Sequence, residues 1–139
     1  MSDSSQNTPH AKATITVHVY EPVPYGDAAV GPALSRIHVE ETFSGDIQGD
    51  GVVEFLQSAN VDGSASFVGI ERIVGSLAGK SGTFLLQDAG TVAANIVSGD
   101  WFVIPDSGTD ELVGLRGTGG FRANLGEGAE TFLDYWFEQ

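Results

Sequence analysis

The chain contains no cysteine. That removes a disulfide scaffold, a thiolate metal site and a cysteine nucleophile together. Positive charge is scarce: 6 lysines and arginines stand against 19 aspartates and glutamates, for a formal net charge of -13. Phosphate backbones and anionic lipid surfaces attract the opposite sign, so neither nucleic acid nor a membrane surface is an expected partner. No apolar run approaches the ~20 residues of a spanning helix. The first ten residues, MSDSSQNTPH, are polar and lack the apolar core of a secretory signal. They read as a disordered tail on a cytoplasmic protein. Catalytic and cofactor motifs are missing too. His10, His18 and His38 show no H-x-H or H-E-x-x-H spacing, so no metal is expected. No glycine loop opens a helix as a phosphate cradle, and Ser107 is not framed as a nucleophile elbow, so no cofactor is expected. Apolar residues nowhere repeat at three and four over a helical length.

Glycine and two-residue alternation are what the chain has. Glycine numbers 19 of 139 residues with no collagen period, which reads as many tight turns. Ala13, Ile15, Val17 and Val19 alternate with Thr14, Thr16, His18 and Tyr20, a half-buried strand. Residues 21–32 hold three prolines and two glycines and read as a loop. Further strands are expected over 33–43, 52–58, 64–73, 83–87, 97–104, 112–120 and 130–138, with turns at 45–51, 60–63 and 105–110. About eight strands at hairpin spacing predict an all-β protein, a single domain over 11–139. The economical way to protect the edges is closure into a small antiparallel β-barrel. A sandwich is the alternative.

Five segments in order carry a family likeness: Phe43-Ser-Gly-Asp, Ala65-Ser-Phe-Val-Gly-Ile-Glu-Arg, Gly79-Lys-Ser-Gly-Thr-Phe-Leu-Leu-Gln, Ser107-Gly-Thr-Asp-Glu-Leu and Gly114-Leu-Arg-Gly, followed by Leu133-Asp-Tyr. They resemble the small bacterial proteins of domain-of-unknown-function family 3224, over about Ala13 to Phe137. The resemblance implies a closed antiparallel barrel similar to that of allene oxide cyclase. Asp88 stands where the family usually has histidine, and Asp110 where it usually has glycine.

The informative residues are polar ones in phase with an apolar face. Glu41 shares its face with Ile37, Val39 and Phe43; Glu71 with Ala65 and Phe67; Tyr135 with Leu133 and Phe137. An inward carboxylate costs several kcal/mol unless it is paired or hydrogen-bonded. One resolution is an ion pair with Arg36, Arg72 or Arg116. The other is an acid–base carboxyl at a barrel mouth, its pKa raised by apolar surroundings. On the second reading Glu71 and Tyr135 are the catalytic candidates, and Glu41, Phe67, Arg72 and Trp101 line the ligand. Strand neighbours face opposite ways, so Glu71 and Arg72 share the lumen only if a bulge intervenes. The expected function is a barrel holding a small apolar ligand, as an isomerase or cyclase would. The rival is a packed structural or interaction barrel. The last strand is apolar on both faces, which predicts a homo-oligomer, a dimer for preference, using Phe132 or Trp136.

Overall fold

The computed structural model describes residues 8–138. Eight strands follow one another: β1 (His10–Tyr25), β2 (Ala33–Gly45), β3 (Ile47–Ala59), β4 (Ala65–Leu77), β5 (Lys80–Ala93), β6 (Ile96–Val103), β7 (Leu115–Asn124) and β8 (Glu130–Phe137). Each pairs antiparallel with the next, and β8 pairs back onto β1 to close the barrel. Short 3₁₀ turns at Ala28–Val30 and Asp110–Leu112 are the helical segments among the described residues. No helix there is long and apolar enough to cross a membrane. Most of the polar tail read from the sequence lies outside the described residues. His10, its last residue, is already in β1, opposite Asp134.

The period of two sets the inside and the outside. Phe84, Leu86 and Asp88 point in from β5, for instance, while Gln87 and Ala89 point out. One end of the lumen is closed by a large cluster that includes Phe43, Ile47, Ile73, Leu77, Phe84, Leu115 and Leu133. The connection over 104–114 folds across this end and drops Leu112 into it, fully buried. Smaller clusters lie elsewhere: Ile37, Val39 and Val53 in one, Ala65, Phe67 and Val92 in another, both touching Phe55. Ring contacts run from Phe55 through Phe67, Phe121 and Trp101 to Phe43, with centroids 5.1–6.3 Å apart.

Many glycines lie inside strands, contrary to the turn-based expectation. A Cβ on Gly90 would stand 2.6 Å from Phe67, and one on Gly99 2.4 Å from Phe121. These positions let large rings fit a lumen only just wide enough for side chains. The stretch 45–51 is therefore mostly strand, and only the turn into Ile47 interrupts it.

Two features of β1 differ from expectation. Residues 21–25 continue the strand, with Pro22 opposite Ile37 and Pro24 opposite Ser35. β8 reaches β1 only over His10 to Thr14, so the rest of β1 is an edge, where proline is tolerated. A β-bulge also shifts the register between Val17 and Val19. Val17, opposite the inward Glu41, keeps the inward phase although it is 44% exposed; beyond the bulge the phase reverses, so that Val19 lies opposite the outward Glu40 and Tyr20 opposite the inward Val39.

Candidate functional site

Three carboxyl groups meet the apolar lumen: Glu41 from β2, Glu71 from β4 and Asp88 from β5. Alternation puts each inside, because each follows its strand's buried apolar residues at steps of two. They are 8%, 1% and 2% exposed. Register surrounds them with glycine: Glu41 lies opposite Gly51, and Asp88 lies between Gly69 and Trp101. Gly51 makes the space for Glu71, since a Cβ there would sit 2.2 Å from Glu71 Oε2 and 2.9 Å from the Phe43 ring. In β1 the residue opposite Glu41 is Val17, and the bulge follows just beyond it.

Among the described residues no cation neutralises the group. The ion pairs among the described residues are His10–Asp134, His38–Glu40, His38–Glu54 and Arg116–Asp106. Arg72 faces solvent, as strict alternation requires, because β4 carries no bulge beside Glu71. Of the two resolutions open to Glu71, the ion pair with an arginine is absent among the described residues, and a carboxyl pair stands instead, with Glu41 within hydrogen-bonding reach of Glu71. No donor reaches Glu71 Oε2 or Asp88 Oδ1 while both groups are ionised.

Protons resolve this. Burial raises the Glu71 pKa well above the usual carboxylate range, and its contact with Glu41 and the charges of Glu41 and Asp88 raise it further. Burial also raises Glu41, but the bond to Glu71 works the other way. The pair therefore shares a proton that sits mainly on Glu71, which donates to Glu41. Asp88 is pushed up to about 8, first by burial and then by the charge of Glu41. Burial thus favours the neutral form at all three acids, opposed at Glu41 by its bond to Glu71, an arrangement able to give and take a proton.

Trp101 and Phe67 are buried in the lumen as expected, but the indole N–H of Trp101 donates to the Phe132 carbonyl at 3.0 Å and is already satisfied. Tyr135 is half-buried and packs edge-on against Phe137, whose ring lies under Lys80. Its hydroxyl is bonded to none of the three acids among the described residues, so the structure does not join Tyr135 to Glu71. Asp88 was missed as a lumen residue, although its spacing from Phe84 and Leu86 carries the signal. It is also one of the two positions that depart from the family pattern.

Two shallow depressions lie on the outer wall. One, of about 430 Å³, runs over Gln87, Ala89, Phe102, Thr118 and Phe132; the other, of about 530 Å³, lies between Glu21, Val23, Arg36, His38 and Glu54. In the second, His38 lies between Glu40 and Glu54, and those hydrogen bonds raise its pKa to about 9.

Residues 11–137 match the family described as "Protein of unknown function (DUF3224)". The chain belongs to the DUF3224 family. Among solved structures it is similar to a DUF3224 family protein of unknown function from Shewanella oneidensis MR-1, at 28% identity and a TM-score of 0.77. The likeness covers 95% of this chain and 98% of that one. No curated protein matches.

Proposed function

We propose that this DUF3224 barrel binds a small, largely apolar molecule in its lumen through one hydrogen-bond-donating or cationic group, held by Glu41, Glu71 and Asp88. The observation that carries this reading is the buried carboxyl cluster, in which Glu71 Oε2 and Asp88 Oδ1 meet no donor of the described residues other than the acids' own protons. A lumen meant only to be filled is cheaper to build from apolar side chains. Phe55, Phe67 and Phe121 supply apolar surface beside the acids, and Phe55 and Phe121 are only half-buried. Glu41, the most exposed of the three, faces the bulged stretch of β1, and a ligand group arrives there first. The reaction class that suits such a site is an isomerisation or cyclisation, with Glu71 giving a proton and Glu41 accepting one.

Native mass spectrometry of the purified protein, with solvent extraction of whatever accompanies it, tests binding. A thermal-shift comparison of small apolar amines with their neutral hydrocarbon counterparts adds the chemistry. The amine raises the melting temperature more than its counterpart, and the Glu41→Gln, Glu71→Gln, Asp88→Asn protein loses the difference. A bare chain mass together with no shift from any amine would contradict the proposal. The second reading, a packed barrel serving as an interaction protein, draws support from the filled lower lumen and from the apolar outer face of β4.

A further inference from the structure

The outer wall of the barrel is not uniform. On β2 the outward side chains are Arg36, His38, Glu40, Thr42 and Ser44, a polar row. On β4 they are Val68, Ile70, Arg72 and Val74, between Ser66 and Ser76. Register extends this apolar row to both sides. Leu56 of β3 lies opposite Val68, and Val52 opposite Arg72. On the other flank Ala89 lies opposite Val68, and Gln87 joins Ile70 to Phe102 of β6. Val52, Leu56, Val68, Ile70 and Val74 are 45–53% exposed. With Phe102, across Gln87, they form an apolar surface on the order of 400 Å², interrupted by Arg72 and bordered by Asp50 and Glu54, within the range of the largest patch on a typical monomer. That is about half of the ~800 Å² that each partner contributes to a standard interface.

The charges on this face suit a copy of itself. Arg72 is exposed in its middle and has no ion-pair partner among the described residues. Asp50 and Glu54 lie on the same face, opposite Val74 and Ile70. A two-fold axis through the patch sets each Arg72 against Asp50 of the other copy, Glu54 being bonded to His38 of its own chain, and brings the apolar rows into contact. Two copies each carry a net charge of -13, so long-range repulsion opposes the contact, and the pairing of Arg72 with an acid of the other copy offsets it only at short range. The aromatic residues of β8 are less free: Phe132 stacks on His10 at 5.6 Å, and the Trp136 indole donates to Glu138 at 3.1 Å.

We infer that a second copy of this chain docks on the outer face of β3, β4 and β5, forming an isologous dimer centred on Ile70 and Arg72. Sedimentation equilibrium of the full chain from micromolar to a hundred micromolar tests it, with circular dichroism confirming the strand fold of each variant. The wild-type protein should reach twice the chain mass of 14.5 kDa. Ile70→Asp should return it to one chain mass, and Trp136→Ala should leave the dimer intact. Arg72→Glu, which leaves the apolar row untouched, should weaken dimerisation at least tenfold and serves where Ile70→Asp does not fold. A monomeric wild-type protein overturns the inference. So does a dimer that survives both substitutions on β4, and so does one that dissociates only with Trp136→Ala, which places the interface on β8.

Discussion

A carboxyl group buried against another carboxyl group keeps its proton, and at Glu71 and Asp88 this ties stability to pH. Asp88 is raised from 3.8 to about 8 in the folded chain. Between those values the folded form holds a proton that the unfolded chain has released. Stability therefore falls as pH rises from about 4 to about 8. Glu71 has the same sign, raised by burial first and by Glu41 next. His38 adds to the trend from the surface: its contribution is full below 6.5 and is lost as pH rises through about 9. Thermal melts should accordingly show a lower midpoint at pH 8 than at pH 5. Each raised unit weighs ~1.4 kcal/mol, so Asp88→Asn should gain on the order of 2–4 kcal/mol at pH 8 relative to its effect at pH 5. A melting temperature independent of pH in wild type and variant alike would contradict this. Glu71→Gln imitates the protonated acid and keeps a donor toward Glu41. Urea unfolding at pH 5 should place it within about 1 kcal/mol of wild type, whereas loss of a buried ion-pair member would cost ~3–5 kcal/mol.

Among the elements, the β3–β4 pair is the most demanding. A Cβ on Gly75 would stand 1.9 Å from the Gln48 carbonyl oxygen and 2.7 Å from Gly49 Cα, both backbone. Gly75→Ala should therefore destabilise by roughly 2 kcal/mol or more, read as a lower urea midpoint. Gly51→Ala meets a side chain instead, and should displace the Glu71 carboxyl and flatten the pH dependence. Alternation made much of this scale legible in the sequence. Phe67, Glu41, Glu71 and Trp101 are inside because their phase says so, and Arg72 is outside by the same rule. The slip at Val17 and Val19 was not legible, because one inserted residue reverses the phase and leaves no mark in composition. Nor was the strand through Pro22 and Pro24, whose tolerance depends on how far β8 runs along β1. Asp88 escaped because the expected strand over 83–87 stops one residue short of it, whereas β5 runs on to Ala93, past a Gly90 that makes room for Phe67.

Over the whole molecule, closure decides what sequence periodicity leaves open. Period two places three acids inward on three different strands; only the register of a closed barrel brings Glu41 to Glu71 and Asp88 near both. No arginine supplies a counter-cation to them, since each faces outward or lies at the surface. The lumen is then apolar packing around a group of acids that stay partly protonated, and the proposed binding of a donor-bearing ligand depends on that state. A titration of the side-chain carboxyl carbons by ¹³C NMR, assigned with Asp88→Asn and Glu71→Gln, measures it directly. One carboxyl should titrate with a midpoint of about 8 and vanish in Asp88→Asn, and a second should titrate well above the ordinary range and vanish in Glu71→Gln. Every aspartate and glutamate titrating near its ordinary value, about 4, would contradict a protonated lumen.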